Sequence, residues 1–246
     1  MAEDLSKALE SAAKLAAQKG LTRFTRFLDP AQTAQARLIA RAFGAQLDCF
    51  GGYDDAERVI ACFHPQGQPP DRSEYPLVCL HSRFSARFCS LSHRDLLGAF
   101  MALGLTRACI GDIIIDEESV YLFATEQTAA FIAEGMTSAG KASLRFEALS
   151  AIPPMPEPKG TCFSAVISSL RLDAVLAAAY RLSRSEAADA IRAGLVKLDH
   201  LPCEHVDASV SEGSLLSLRS KGRVRLVTVD GMTRKQRIGV TFFRYE

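Results

Sequence analysis

Residues 182–198 read LSRSEAADAIRAGLVKL, and their pattern predicts the local structure at the centre of the C-terminal part of the chain. Ser183 and Glu186 have the spacing of a capping box, in which each side chain binds the backbone N–H group of the other residue at the start of a helix. Gly194 is a typical helix stop, because glycine readily adopts the left-handed conformation that ends a helix. The stretch therefore predicts a helix that begins after Ser183 and ends near Gly194, followed by a short strand over 195–198.

Regular patterns continue on both sides of this stretch. Upstream, four apolar residues share one face of a predicted helix: Leu172, Val175, Leu176 and Ala179. Downstream, alternating residues predict strands over 223–229 and 237–245, and Asp230-Gly231 between them is typical of a hairpin turn. The C-terminal segment is thus predicted to contain two helices, a short strand and a hairpin.

A proline-rich stretch separates this segment from the rest of the chain. Residues 153–158 contain four prolines in six positions, a composition that gives a stiff, extended linker. A loop with three prolines and one glycine lies over 64–71. These breaks predict four parts: an N-terminal helical subdomain (1–72), a central domain (73–152), a linker (153–160) and a C-terminal domain (161–246).

The central part has the order of elements of a ferredoxin-like unit. Strands are predicted over 77–81, 108–115, 119–125 and 142–149, and helices over 92–104 and 126–138. The resulting order, βαββαβ, is that of the ferredoxin-like fold, which is also the order of an RNA-binding relative of that fold.

The N-terminal part shows helical patterns. Apolar periodicity over 5–19 predicts one helix, and Asp29-Pro30 predicts the start of a second helix, which ends near Gly44. The predicted fold class is therefore α+β, with a helical N-terminal segment, a ferredoxin-like central unit and a C-terminal domain of helices and strands.

Charge is distributed unevenly along the chain. With 29 basic and 28 acidic residues the formal net charge is +1, and this total gives no reason to expect a nucleic-acid partner. Residues 1–160 carry 16 basic and 19 acidic side chains, whereas residues 161–246 carry 13 and 9. Residues 215–245 alone carry eight basic side chains and one acidic one. Such a basic strip is typical of a surface that binds a polyanion, although a solvated hairpin has the same composition.

Two arginines in the strip have a favourable spacing. Arg223 and Arg225 are two positions apart, so a strand turns both toward one side, while Val224 and Leu226 point to the other. The planar guanidinium group of arginine can donate two parallel hydrogen bonds to a phosphate and can stack on a base. The pattern therefore predicts a basic ridge beside an apolar inner face.

The C-terminal segment resembles the S4 RNA-binding domain. The resemblance lies in Arg171-Leu172-Asp173 and in residues 182–188 and 191–198. Motifs outside this domain resemble the YlmH family of S4-domain proteins: Phe27-Leu28-Asp29-Pro30, Gly51-Gly52-Tyr53, Ala56-Glu57-Arg58, residues 91–98, Gly111-Asp112-Ile113, Gly222-Arg223 and Thr233-Arg234-Lys235. The resemblance covers nearly the whole chain.

This resemblance implies a pair of helices on a small sheet, which binds structured RNA across the helix pair and the adjacent loop. The implied RNA-facing residues of the S4 motifs are Arg171, Ser183, Arg184, Ser185, Arg192 and Lys197. The basic strip beside them adds Arg219, Lys221, Arg223, Arg225, Arg234, Lys235 and Arg237. Asp189 shares the helix face of Ser185 and Arg192, where it either orients an arginine or weakens phosphate binding.

The resemblance also implies association with the large ribosomal subunit and with tRNA, in rescue or quality control of stalled nascent chains. We therefore predict a non-enzymatic protein that binds structured rRNA or tRNA through its S4 domain, with no cofactor and no bound metal. An RNA-modifying enzyme anchored by the S4 domain and a cell-division scaffold remain as alternatives. DNA is not expected as a partner.

No membrane segment or targeting signal is predicted. The longest nearly unbroken apolar run, over 174–180, is far shorter than the roughly 18–20 residues that cross a bilayer. The N-terminus has acidic residues and lacks the basic start and apolar core of a signal peptide. Seven widely spread cysteines, without a CxxC pair, indicate free thiols in a reducing cytoplasm.

Two turns depart from the S4 pattern. Many S4 domains have Asn-Gly after the short strand, where this chain has Asp199-His200. Their Gly-Asp pair before the next strand is here Gly213-Ser214. Both departures concern local turn geometry rather than the fold.

Two motifs suggest chemistry only at first sight. His93-Arg94-Asp95 occurs in kinase catalytic loops, but the other kinase motifs are missing and Asp95 fits a capping box with Ser92. Tyr121 and Phe123 alternate on a strand where an RNA-binding relative of the ferredoxin-like fold has stacking aromatics, but the Lys/Arg-Gly-Phe signature of that fold is missing. We expect both aromatic side chains to pack in the core.

A possible metal site is also incomplete. His200, Cys203 and His205 lie close together in the sequence. A structural zinc site normally needs four ligands, and the sequence shows no fourth. We expect these three to be turn residues.

Overall fold

The computed structural model describes residues 2–87, 89–232 and 237–246, which form two compact units. The first comprises Met1–Pro156 and the second Glu157–Glu246, so the division falls inside the proline-rich stretch. Each unit has a buried apolar core of its own. In the described ranges, no helix is both long enough and apolar enough to cross a membrane.

The first unit begins with two helices packed on a small antiparallel sheet. Its first elements are α1 (Ala2–Lys19), β1 (Arg23–Leu28), α2 (Pro30–Phe43), β2 (Gln46–Phe50) and β3 (Val59–His64). The strands lie in the order β1-β3-β2. Asp29 caps α2 by accepting a hydrogen bond from the Gln32 N–H at 2.9 Å, and Gly44 ends it with φ at 73°. Both predicted helices are confirmed.

The sequence predicted no strand in this segment, including the central strand β3; β1 and β2 are the harder ones to recognise, because each lies at an edge of this sheet. Polar residues occupy their exposed positions, among them Arg23 and Arg26 in β1 and Gln46 and Asp48 in β2. Edge strands commonly carry such residues, which interrupt the apolar run by which a buried strand is recognised. The N-terminal segment is thus helical on one face and has a three-stranded sheet on the other.

The central part of the first unit has the βαββαβ order that the sequence predicts. Its elements are β4 (Leu77–Arg83), α3 (His93–Ala102), β5 (Ile110–Asp116), β6 (Ser119–Thr125), α4 (Glu126–Gly135), β7 (Ser138–Ala139), β8 (Ala142–Ser143) and β9 (Glu147–Ala148). An antiparallel sheet forms in the order β5-β6-β4-β9. The predicted last strand is divided, because β8 turns back on β7 and only β9 reaches β4.

The two faces of this central sheet are both covered. Helices α3 and α4 pack on one face, where Phe100 and Ile132 are fully buried against Leu122. The other face packs against β1 and β3, where Phe27 is buried together with Phe123. The sheet is therefore the middle layer of the first unit.

The second unit packs two helices on one face of a six-stranded sheet. Its elements are β10 (Gly160–Ile167), α5 (Leu172–Tyr180), α6 (Arg184–Arg192), β11 (Val196–Leu198), β12 (Leu201–Pro202), β13 (Leu215–Leu218), β14 (Gly222–Met232) and β15 (Ile238–Tyr245). The strand order is β10-β15-β14-β13-β11-β12. Leu176 and Ile191 from the helices are fully buried with Leu216, Val224 and Phe242 from the sheet. We call this side of the sheet the inner face and the opposite side the outer face.

The predicted hairpin is confirmed as a strand pair, but the turn was placed wrongly. Asp230 and Gly231 lie within β14, which continues to Met232 and pairs with β15 beyond them. The register shifts between Val229 and Met232, and Gly231 has φ at 75°. A glycine at positive φ in a strand is typical of a bulge, so Asp-Gly here produces a bulge instead of a turn. Residues 233–236 lie outside the described residues.

The two turns that depart from the S4 pattern are joined by hydrogen bonds. Asp199 and His200 both have positive φ, at 48° and 69°, in the turn between β11 and β12 that elsewhere takes Asn-Gly. The Asp199 carboxylate accepts hydrogen bonds from the Leu215 N–H at 2.7 Å and from the Ser214 hydroxyl at 3.2 Å. The Asp199 carboxylate thus joins the two turns.

Candidate nucleic-acid interface

The start of α6 has the predicted capping box. Ser183 Oγ accepts from the Glu186 N–H at 3.2 Å, and Glu186 Oε2 accepts from the Ser183 N–H at 2.7 Å. These bonds hold the pKa of Glu186 below its ordinary value. Ser183 and Ser185 are both exposed, and their hydroxyl groups lie 3.1 Å apart. The box leaves the first N–H groups of the helix, at Arg184 and Ser185, for an outside acceptor.

Two of the predicted arginines meet at one carboxylate. Arg184 Nη2 donates to Asp173 Oδ2 at 2.7 Å, and Arg171 Nε donates to Asp173 Oδ1 at 3.4 Å. Arg184 Nη1 also donates to Ser168 Oγ at 3.1 Å. Arg171 is the N-cap residue of α5 and Arg184 is the first residue of α6, so the helix pair itself brings the two side chains together.

The turn between β13 and β14 brings one further basic residue, Lys221, to the start of α6. The Tyr180 hydroxyl, at the end of α5, donates to Leu216 O at 3.1 Å and to Gly222 O at 2.9 Å. These two hydrogen bonds hold the turn against the helix pair. The pKa of Glu186 is lowered mainly by its hydrogen bonds with Ser183, and the positive charge of Lys221 in the turn lowers it further. Arg219 lies in the same turn and is exposed.

Farther along α6, Arg192 is exposed. Its Nη1 donates to Asp189 Oδ1 at 3.1 Å, and both side chains are largely in solvent, at 63% and 75% exposure. A surface ion pair of this kind holds its partners weakly. Arg192 therefore keeps the freedom to turn toward a ligand.

The remaining described basic residues of the prediction lie elsewhere in the unit. The predicted alternation on β14 is confirmed, because Val224 and Leu226 are fully buried on the inner face. Arg223 and Arg225 are therefore on the outer face, away from the helices. Arg223 lies 5.0 Å from the ring centroid of Tyr245, and Lys197 joins the same face through the pairing of β11 with β13 and of β13 with β14.

The structure thus divides the predicted residues into two groups. The first surrounds the start of α6 and comprises Arg171, Ser183, Arg184, Ser185 and Lys221. Arg192 lies farther along the helix, and Arg219, whose N–H group donates to Leu195 O at 3.0 Å, lies beyond the end of the helix. The second lies on the outer face and comprises Lys197, Arg223 and Arg225. Arg237 is exposed immediately before β15, and Arg234 and Lys235 lie outside the described residues.

Sequence reasoning missed three roles in this unit. Asp173 joins two arginines, a role that the run Arg171-Leu172-Asp173 contains but does not reveal. Arg181 is exposed between the two helices, where it ends α5 with φ at 55°. Arg244, counted in the basic strip, faces inward and donates from Nη2 to Ala179 O at 2.7 Å, so it stabilises the end of α5.

In the first unit, the motifs of the family resemblance converge on Asp112. Its carboxylate accepts from the Tyr53 hydroxyl at 2.8 Å and from the Glu57 and Arg58 N–H groups at 2.7 and 3.1 Å. Arg58 in turn donates to Ile110 O at 2.9 Å and to Arg107 O at 2.7 Å. Burial raises the pKa of Asp112 against the effect of these bonds. The motifs fasten the loop before β3 to β5, which is a structural role.

Aromatic packing below this loop closes the central sheet. Tyr53 stacks on Phe123 with ring centroids 5.4 Å apart, and Phe123 is fully buried. Tyr121 is partly buried in the same cluster. The expectation that both aromatics pack in the core is confirmed, so this sheet face is not open for stacking bases.

The two other candidate motifs are His93-Arg94-Asp95 and the set His200, Cys203 and His205, and each is explained by local structure. Ser92 Oγ accepts from the Asp95 N–H at 3.2 Å and Asp95 Oδ2 accepts from the Ser92 N–H at 3.0 Å, which confirms the predicted capping box. Within residues 2–87, 89–232 and 237–246, no cluster of three or more His, Cys, Asp or Glu side chains has the arrangement to hold a metal ion.

Two family models match the chain, each over a part of one unit. A family model described as "Putative RNA-binding domain in YlmH" matches residues 70–152, and the S4 domain model matches residues 170–216. The S4 match contains the helix pair and the carboxylate-linked arginines described above.

Two individual proteins are similar to the chain over much of its length. The "Ribosome-associated protein quality control protein P2" of Bacillus subtilis (strain 168) is 36% identical over 223 residues, which cover 90% of this chain and 87% of that protein. A solved structure titled "Cell division protein ylmH from Streptococcus pneumoniae" covers 60% of this chain and 90% of its own, with 22% identity and a TM-score of 0.51. The latter likeness supports the fold alone.

Proposed function

Because the chain belongs to the YlmH family of S4-domain proteins, we propose that it binds structured rRNA or tRNA on the large ribosomal subunit. The relative from Bacillus subtilis is named for ribosome-associated protein quality control, and we propose the same process for this chain, in the cytoplasm. The proposed activity is binding, without catalysis, because the family and the relative point to RNA binding rather than to a known class of enzyme.

One observation carries this proposal: separate elements bring their basic side chains together around the start of α6. Arg171 comes from the start of α5, Arg184 from α6, and Lys221 from the turn after β13. A-form RNA hides its base edges in a deep groove, so proteins recognise it by shape and by contacts to phosphate and ribose. Exposed cations at fixed spacing around a helix start suit such contacts.

The first unit is proposed to act as a positioning or protein-contact module. Residues 1–156 carry 15 basic and 18 acidic side chains, which does not favour phosphate binding. The aromatic face of its central sheet is covered, so stacking of bases on that sheet is not open to it. The family model that matches residues 70–152 is described as a putative RNA-binding domain, so any RNA contact of this unit would use a surface other than the covered sheet face.

Sedimentation with ribosomes tests the proposal and distinguishes the two basic groups. Arg184→Glu changes the start of α6, and Arg225→Glu changes the outer face. Lys7→Glu, at an exposed position of α1, is the control for the same change of net charge. We expect Arg184→Glu to abolish most binding at moderate salt, because a repelling charge replaces a phosphate contact, and Lys7→Glu to bind like wild type.

Salt gives a second readout of the same experiment. Each lost phosphate contact should reduce the slope of log affinity against log salt by about 0.7–0.9. If Arg184→Glu and Arg225→Glu both sediment like wild type, the RNA-binding role of the S4 domain is wrong. If only Arg225→Glu loses binding, the interface is the outer face and not the helix pair.

A further inference from the structure

The first turn of α5 contains a carboxylate that the proposed function leaves unexplained. The Asp173 side chain is only 11% exposed, whereas the two arginines that contact it are each 48% exposed. Asp173 also accepts from the Ala174 N–H at 2.9 Å, which fixes the carboxylate to its own helix. A negative charge so close to proposed phosphate-binding groups needs a reason, because it should weaken their attraction for RNA.

The arginines are held in different ways, and this determines which donors they keep. Arg184 donates a hydrogen bond from Nη2 to Asp173 and another from Nη1 to Ser168, so both terminal nitrogens of its guanidinium group are held. Arg171 donates a hydrogen bond to Asp173 from Nε, and its two terminal nitrogens take no part in that contact. Both side chains thus lie beside one carboxylate while part of each guanidinium group stays in contact with solvent.

The charges of the trio are compatible with this arrangement only when Asp173 is ionised. Two guanidinium groups side by side repel each other, and one carboxylate between them removes that repulsion. Burial raises the pKa of Asp173, but hydrogen bonds and positive charge from Arg184 and Arg171 outweigh burial and hold the pKa below its ordinary value. The trio therefore carries a net charge of +1 at neutral pH.

We propose that Asp173 is a positioning residue for RNA recognition: its carboxylate holds Arg171 and Arg184 side by side so that they can bind neighbouring phosphate groups of structured RNA. The inference rests on the proposed function and adds a residue to it. Preorganised donors lose less conformational entropy on binding, and this gain offsets the unfavourable charge of the carboxylate.

The proposal and simple electrostatics predict opposite signs for one substitution. Asp173→Asn removes a negative charge, so charge alone predicts tighter RNA binding. If the carboxylate positions the arginines, the same change weakens binding by about tenfold or more, the effect of one charge-assisted hydrogen bond. The matched control is Asp189→Asn, which removes an exposed partner of Arg192 and should leave binding unchanged or slightly tighter.

The experiment measures the affinity of the full chain for purified large ribosomal subunits at constant salt, with circular dichroism to show that each variant is folded. Asp173→Asn is also combined with Arg171→Ala and Arg184→Ala. We expect no further loss in that background, because the carboxylate acts through the two arginines. An equal loss in both backgrounds would mean that Asp173 has only a structural role and would overturn the proposal.

A second variant covers the case in which Asp173→Asn does not fold. Ser168→Ala removes the other anchor of Arg184 from an exposed position without a change of charge, and Ser169→Ala is its control. We expect Ser168→Ala to weaken binding by about twofold to threefold, less than the loss of the Asp173 carboxylate, because the Ser168 hydroxyl is exposed and carries no charge. Unchanged binding would contradict the positioning of Arg184.

The two proposals fail in distinguishable ways. If wild type binds the subunits and Arg184→Ala weakens binding while Asp173→Asn does not, the proposed function stands and the role of Asp173 is wrong. If Arg184→Ala binds like wild type, the RNA-binding role of the helix pair is wrong, and the inference about Asp173 is wrong with it.

Discussion

At the scale of single residues, glycines show where the backbone needs room. Gly52 has φ at 104°, and a Cβ atom there would lie 2.2 Å from the ring of Phe123. Gly111 is equally confined, since its Cβ would lie 2.6 Å from the ring of Phe27. Both belong to motifs of the family resemblance, so these motifs preserve close packing of the aromatic layer rather than a reactive site.

Gly52→Ala should therefore destabilise the first unit severely. The new methyl group must displace a buried ring, and such overpacking costs about 1–3 kcal/mol. The alanine must also adopt a left-handed backbone conformation, which costs about 1–2 kcal/mol more. Gly67→Ala is the matched control, because Gly67 also has positive φ, at 79°, but has open space around it. Urea unfolding should show the larger loss for Gly52→Ala, and equal losses would contradict the packing argument.

At the scale of elements, helix starts could be predicted and edge strands could not. Capping boxes depend on two side chains within one turn, and those at Ser92 and Ser183 occur as predicted. At Asp29, where the sequence predicted only a helix start, the structure adds a third capping box with Gln32. Edge strands depend on partners far along the chain, and β1 and β2 have polar residues where they face solvent. The Asp230-Gly231 pair predicted a turn but forms a bulge for the same reason, because the register between β14 and β15 cannot be read from the local sequence.

Helix α3 contains a glycine that its packing does not require. Gly98 lies in the helix interior with open space where a Cβ would stand. Gly98→Ala should therefore stabilise the first unit by about 0.5–1 kcal/mol, through the higher helix propensity of alanine. Gly104→Ala, just after the helix with φ at 76°, should destabilise it instead. The free energy of unfolding of both variants checks these opposite signs.

At the scale of the whole molecule, charge and family could be predicted from the sequence, but the division of the candidate site could not. The strip over 215–245 was seen as one basic surface. Strand alternation and packing place Arg244 inward, Arg223 outward, and Lys221 beside α6. Adjacent residues in sequence thus belong to three sides of one unit, and only the paired sheet with its helices determines which side each one takes.

The second unit should fold by itself. Its helices and sheet enclose a contiguous apolar core in which Leu176, Val224 and Phe242 are fully buried. A fragment of residues 157–246 should therefore unfold cooperatively in circular dichroism, and it should keep the ribosome binding of the full chain. Leu176→Ala in the fragment should remove about 2–5 kcal/mol of stability. A fragment without a cooperative transition would contradict the independence of its core.

The bond between Asp199 and Ser214 limits the order in which the two turns can change by mutation. With Asp199 present, Ser214→Asp alone would place two carboxylates where a hydroxyl and a carboxylate now lie 3.2 Å apart. If Asp199→Asn came first, the two carboxylates would never face each other, because the Asn amide can donate a hydrogen bond to an Asp at position 214 as well as accept one. The effect of a substitution at one of these positions therefore depends on the residue at the other. Of the two substitutions that would restore the usual S4 turn residues, Asp199→Asn is expected to precede Ser214→Asp.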